Sequence, residues 1–199
     1  MFEYTEYIGI IAFAMSGFFV AVRSRLDFLG VLVSVFLTAF GGGIIRDVLA
    51  DRTPYAFSSD LPGAVVLGVM TVMLLLRFHK RDTIENRPLF ILSDSIGLIS
   101  FSITGALIAL DTGLNFTGVL VLSFITAVGG GITRDVIINE VPFVFKTGFY
   151  GTVSLLVGMG IYLLSLAEVV NHYTIASLFI AGVLLRLVAY YRDWSIPLP

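Results

Sequence analysis

Two Arg-Asp pairs carry the most distinctive chemistry in the sequence. Arg46-Asp47 and Arg134-Asp135 stand 88 positions apart, and each follows a glycine triplet by three residues: Gly41, Gly42 and Gly43 in the first case, Gly129, Gly130 and Gly131 in the second. Hydroxyls recur in the same register, Ser16 with Thr104 and Thr38 with Thr126, and so do the carboxylates Glu6 and Asp94. Guanidiniums, carboxylates, hydroxyls and helix-weakening glycines suit the handling of an ion or a small zwitterion. They do not suit catalysis, because no nucleophile stands with a base and no residues have metal-ligand spacing. His79 and His172 lack ligand-spaced neighbours, and the chain has no cysteine, so thiolate and Cys-ligated metal chemistry are excluded. No cofactor is expected. A net charge of -2 excludes a strongly basic nucleic-acid binder.

The elements that must position these residues are read from composition. Of 199 residues, 57% are apolar and 13% charged, with a mean hydropathy of +0.98. That charged share is about half of the roughly 25% usual in a soluble domain. The expected fold is therefore an all-α polytopic membrane protein, in which each crossing needs about 20 apolar residues. Seven apolar runs qualify: 4–22, 28–50, 61–78, 89–110, 116–138, 148–167 and 174–191. The first is not read as a cleavable signal, since its leading residues carry Glu3 and Glu6 in place of positive charge. With the N-terminus outside, Arg23, Arg25, Arg77, Lys80, Arg81, Arg87, Lys146 and Arg192 fall on the cytoplasmic side and only Arg52 in an outer loop. The positive-inside rule thus predicts N-terminus out and C-terminus in. Arg186, late in the seventh run, is expected to snorkel or pair at the inner interface.

Sliding the sequence by 88 residues aligns FLTAFGGGIIRDV (36–48) with FITAVGGGITRDV (124–136), identical at 10 of 13 positions without a gap. The register extends to Ile8-Gly9 with Ile96-Gly97, Gly30 with Gly118, Pro54 with Pro142, Phe57 with Phe145 and Gly63 with Gly151. Residues 1–78 and 89–167 are accordingly read as two three-helix repeats. The solvated segment 79–88 is their cytoplasmic linker, and 168–199 holds a seventh helix and tail. Three spans per copy invert the second copy in the membrane, the arrangement of many transport proteins.

The triplets fall near the bilayer midplane of spans two and five. Each glycine costs about 1 kcal/mol against alanine in a helix interior, so a kink or break is expected there. Freed carbonyls must face protein or water and not lipid, which suggests a shared polar path between these spans and a monovalent-cation site at carbonyls near the triplets. Ser16, Thr104, Thr38 and Thr126 are candidates to line it, or to bond back to their own helices. Arg46, Asp47, Arg134 and Asp135 are candidate vestibule charges at costly depth. The members of each pair are adjacent and are not expected to face one another on a helix. Glu6 and Asp94 are expected near the two mouths, where carboxylates favour cation entry.

Two GGGxxRDV segments 88 apart, each followed by a proline and an aromatic, in a seven-span chain of this length, resemble the prokaryotic branch of the trimeric intracellular cation (TRIC) channel family, whose repeats also carry a glycine-transporter domain label. The resemblance implies a homotrimer in the prokaryotic plasma membrane with one pore per subunit, bounded by the kinked second and fifth spans. It implies conduction of potassium above all, with sodium the other candidate ion. Animal members carry a Lys-Glu-Val signature linked to phosphoinositides, which does not occur here. The residues by themselves fit a cation channel and a secondary transporter of glycine or another small neutral amino acid.

Overall fold

The computed structural model describes residues 2–80, 83–146 and 149–194. Gly148, the expected start of the sixth run, Arg81 in the expected linker and the last five residues of the tail lie outside the described residues. Nine α-helices occur among those described: α1 (Phe2–Arg23), α2 (Phe28–Leu49), α3 (Tyr55–Ser58), α4 (Leu61–Leu75), α5 (Thr83–Asp111), α6 (Phe116–Ile137), α7 (Phe143–Lys146), α8 (Tyr150–Leu166) and α9 (His172–Tyr191). Five have the length and hydropathy to cross a membrane: α1, α2, the 87–111 part of α5, α6 and α9. Helices α4 and α8 are apolar but shorter, at 15 and 17 residues.

Three boundaries differ from expectation. The four-residue helices α3 and α7 were not anticipated, and each follows a proline, Pro54 or Pro142, that has no N–H to continue a preceding ladder. The expected linker 79–88 is not a loop throughout, since Phe78–Lys80 forms a 3-10 turn and α5 is already helical from Thr83, with Pro88 inside it. Pro88 sits in the second turn, where it interrupts the ladder only close to the helix start.

Local signals explain the matched starts of α2 and α6. Asp27 and Asn115 accept hydrogen bonds from the backbone N–H of Gly30 and Gly118 at 2.8 and 2.9 Å, so two equivalent caps open the glycine-bearing helices. Asp51 and Asn139, also 88 apart, both take positive φ just after these helices.

The core is built around two antiparallel crossings. In the first, α1 meets α5: Phe13 stacks 5.2 Å from Phe101, Gly9 faces Phe101, Gly97 faces Phe13, and Ser16 reaches Asp94. Positions further along α1 meet earlier positions of α5, and adding 88 exchanges the partners, so the two helices are related by a local two-fold. In the second, α2 meets α6 with Gly42 against the Thr126 carbonyl and Gly130 against that of Thr38, again related by the same shift. Helix α4 leans on α1, α8 on α5 and α6, and α9 covers α5 and α8.

Candidate ion path

The glycine triplets do not break their helices. Both α2 and α6 run unbroken through them, so the expected freed carbonyls near Gly41 to Gly43 and Gly129 to Gly131 stay within helical ladders. The physical reason is packing: a Cβ on Gly42 would overlap the Thr126 carbonyl oxygen and one on Gly130 that of Thr38, while one on Gly41 would lie 3.0 Å from the Gly130 Cα. Gly129 faces Gly42 across the same crossing. Two glycine surfaces let the backbones approach as no other residue would, and the close contact offsets the lost helix propensity. The third glycine has another use. A Cβ on Gly43 would lie 3.4 Å from a Glu6 oxygen, and one on Gly131 3.8 Å from an Arg134 nitrogen, so these positions leave room for the charged side chains.

Arg46 sits at the centre of the first network and is 0% exposed. Its Nη1 and Nη2 donate to the two Glu6 oxygens at 2.7 and 3.1 Å, and its Nε and Nη2 donate to Asp47 at 2.8 and 3.0 Å. Nη1 also reaches Thr104 Oγ1 at 3.4 Å, and the guanidinium lies 5.1 Å over the Phe2 ring. The second Asp47 oxygen accepts the Tyr55 N–H at 2.8 Å, fixing the start of α3. Adjacent Arg and Asp were expected not to face one another. They pair because the long arginine side chain folds back along its own helix.

Arg134 repeats this pattern in part. Its Nε donates to Asp135 Oδ1 at 2.8 Å, the other Asp135 oxygen accepts the Phe143 N–H at 2.8 Å, and Nη1 reaches Thr38 Oγ1 at 3.3 Å. The equivalent of the Glu6 fork is missing. Among the described residues Asp94 makes no direct ion pair; it accepts from Ser16 Oγ at 3.1 Å and from the Tyr150 hydroxyl, and lies within electrostatic reach of both Arg134 and Arg186.

All six candidate vestibule charges are buried: Glu6, Arg46, Asp47, Asp94, Arg134 and Asp135. Burial of these carboxylates follows from the guanidinium and hydroxyl partners, since a charge leaves water only where such partners replace its hydration. Arg134 and Asp135 line a cavity of about 110 Å³ together with Arg23, Glu140 and Lys146. The hydroxyls divide. Thr38 and Thr126 donate to the i-4 carbonyls of Ser34 and Leu122, both at 2.6 Å, whereas Ser16 turns to Asp94, and Thr104 donates to Phe101 while receiving Arg46. The structure thus gathers Ser16, Thr38 and Thr104 around the charges, and leaves Thr126 against the α2–α6 crossing.

Arg186, expected to snorkel or pair at the inner interface, does not snorkel: it is 1% exposed, with its guanidinium 4.8 Å over the Tyr150 ring and 5.5 Å over Tyr190. The buried positions of α9, Ile175, Gly182, Arg186 and Ala189, share one helical face, and that periodicity was the available signal.

Around the rim, Arg23 pairs with Glu140 at 3.0 Å, and Glu140 also accepts from Ser24 at 2.9 Å. At the opposite end Arg52 pairs with Asp111 at 3.3 Å. Adding 88 to Arg23 and Arg52 gives Asp111 and Glu140, so the same two positions are clasped at both ends with the charges exchanged.

A family model described as glycine transporter matches residues 3–78 and again 91–166. The membrane protein YvgT of Bacillus subtilis is 33% identical over 195 residues, covering 98% of this chain and 95% of that one. A structure solved to explain conductance through TRIC cation channels superposes with a TM-score of 0.85 at 34% identity, covering 100% of this chain and 97% of that chain. The TRIC trimeric intracellular cation channel orthologue from Rhodobacter sphaeroides does so at 0.87 and 27% identity, covering 97% and 98%. With both repeats matched by one model and full-length agreement in fold, this prokaryotic integral membrane protein belongs to the TRIC, or glycine-transporter, family.

Proposed function

We propose that the protein is a cation channel whose path runs within each subunit along the α2–α6 crossing, between the Glu6–Arg46–Asp47 network and the Asp94–Arg134–Asp135 network. One observation carries this reading. Among the described residues the buried interior holds four carboxylates, Glu6, Asp47, Asp94 and Asp135, against three guanidiniums, Arg46, Arg134 and Arg186. The surplus carboxylate is balanced only by a cation or a proton, so the interior favours a small cation and disfavours an anion. The solved relatives described as cation channels support the same reading.

In this proposal seven helices cross the membrane, α4 and α8 among them, with the N-terminus outside. The chain assembles as a homotrimer in the plasma membrane and passes potassium, with sodium as a competitor. Arg46 and Arg134 are fully enclosed, which makes this conformation closed at both levels. Opening requires the guanidiniums to exchange partners, so Ser16, Thr38 and Thr104 become the hydroxyls that meet the ion. Purified protein in a planar bilayer under a potassium chloride gradient tests the reading: discrete steps reversing near the potassium equilibrium potential support it. The family model's own description favours the second reading, a carrier for glycine. A silent bilayer with saturable glycine uptake into liposomes would overturn the channel in its favour.

A further inference from the structure

The two halves differ by one charge, and the difference comes from outside the repeat. In the first half Glu6 and Asp47 share Arg46, leaving one negative charge over. In the second, Asp94 and Asp135 face Arg134 and Arg186, so the charges cancel. Arg186 belongs to α9, which has no counterpart in the first half.

Its placement follows from two contacts. Gly182, where a Cβ would come 3.1 Å from Ile99, lets α9 approach α5 closely, and Arg87 Nε bonds the Tyr190 hydroxyl at 3.1 Å. Later positions of α9 meet earlier positions of α5, so the helices are antiparallel, and four residues beyond Gly182 brings Arg186 level with Ser95 and Asp94. There the guanidinium rests on Tyr150, and its Nε has no hydrogen-bond partner among the described residues. A buried guanidinium with an idle donor, level with a carboxylate held by the Ser16 and Tyr150 hydroxyls and by no direct ion pair among the described residues, is not a finished structural clamp. The Glu6–Arg46 fork shows what a finished one looks like in the same protein.

We infer that Arg186 is a tethered counter-cation for Asp94, occupying by its charge the place a permeating monovalent cation would take and so limiting cation throughput in the second half of the path. The inference rests on the channel reading. Asp94 is then the carboxylate that meets the ion, and Arg186 the residue that sets how often it does.

The test is single-channel recording of the wild-type protein with the R186Q, R186K, D94N and D94N/R186Q variants, each checked for assembly by size-exclusion chromatography. R186Q should raise unitary potassium conductance by roughly threefold or more and shift the reversal potential toward that of potassium, because a fixed like charge has left the site. D94N should lower conductance, R186K should resemble wild type, and the double variant should return toward wild type because the charges balance again. A purely structural arginine would give no such compensation. Wild-type conductance in R186Q, a fall in both single variants, or an additive loss in the double would overturn the inference while leaving the channel reading standing. If R186Q does not assemble, R186M gives the same readout. A wild-type protein that carries no current overturns the channel reading and this inference with it.

Discussion

The two repeats have the same sequence skeleton and spend it differently. Where the first locks Glu6, Arg46 and Asp47 into one fully hydrogen-bonded cluster, the second leaves Asp94 on the Ser16 and Tyr150 hydroxyls and brings in a second arginine from α9. The third helices diverge too. In α8, Gly151 and Gly158 pack against Phe124 and Ser123 of α6, while in α4, Gly63 and Gly68 meet nothing. The first half is thus tight in its charges and loose around them, and the second the reverse. A locked buried pair has little freedom to exchange partners, whereas a carboxylate within electrostatic reach of two arginines and directly paired with neither is not committed to one of them. The comparison teaches that duplication supplies matched positions, and that neighbours outside the repeat decide which copy can move.

The largest effect should come from what the halves share. Gly42→Ala or Gly130→Ala places a methyl on a backbone carbonyl of the opposite helix, and backbone cannot swing aside. Overpacking of this kind costs about 3 kcal/mol or more, so both variants should lose thermal stability about equally and carry no current. Wild-type behaviour in either would dissolve the symmetric crossing on which the comparison stands.

Glu6→Gln and Asp94→Asn should then separate the halves. Removing one partner of a buried, forked ion pair costs about 3 kcal/mol, whereas Asp94 loses no direct ion pair and should cost about 2 kcal/mol, the scale of two hydrogen bonds. Thermal denaturation of the two variants side by side measures this. Equal losses would remove the distinction between a locked and an unlocked half.

A smaller contrast lies at the rims. The Arg23–Glu140 clasp is shorter and joined by Ser24 and Lys146, while Asp111 in the opposite clasp has 76% of its side chain exposed. Exposed pairs contribute about 0 to 1 kcal/mol and are screened by salt. Glu140→Gln should therefore destabilise more than Asp111→Asn, and the gap should persist at 0.5 M salt or about that level, where surface pairs have faded. Identical denaturation curves for the two variants would show the clasps to be equivalent.

The smallest effect concerns acidity. Partial burial works to raise the Glu140 pKa, but the Ser24 hydrogen bond and the Arg23 and Lys146 charges prevail and hold it below the ordinary carboxylate value. A carboxylate depressed on folding contributes stability above its unfolded pKa and loses it as pH falls through the folded one. The Arg23 clasp should thus persist through neutral and mildly acidic pH and release only below the ordinary carboxylate range. Glu140→Gln should flatten that part of the stability profile, and an unchanged profile would count against the clasp.

Much of the candidate site was legible because the repeat itself is a signal. The 88-residue register picked out Arg46 with Arg134, Asp47 with Asp135, Glu6 with Asp94 and the four hydroxyls, and in both copies the structure brings most of these together. The glycine triplets were expected to kink or break their helices because of their cost to helix propensity, and the break does not occur. A propensity counts only the helix that bears the glycine, and cannot include a second helix lying against it. Arg46 and Asp47 were expected to point apart for a similar reason, since positions on a helical wheel fix where a side chain starts and not where a long one ends.

The chain's apolar content, its duplication and the positions of its buried charges were therefore determined by sequence alone, because each is a property of order along the chain. Tertiary structure decided the partners: that Glu6 takes the Arg46 fork, that Asp94 does not take Arg134, that the triplets seal a crossing instead of opening a break, and that Arg186 turns inward. The physical reason is that a charge in a low-dielectric interior is satisfied by whatever lies within a few ångströms in space, and only the packed fold sets those distances.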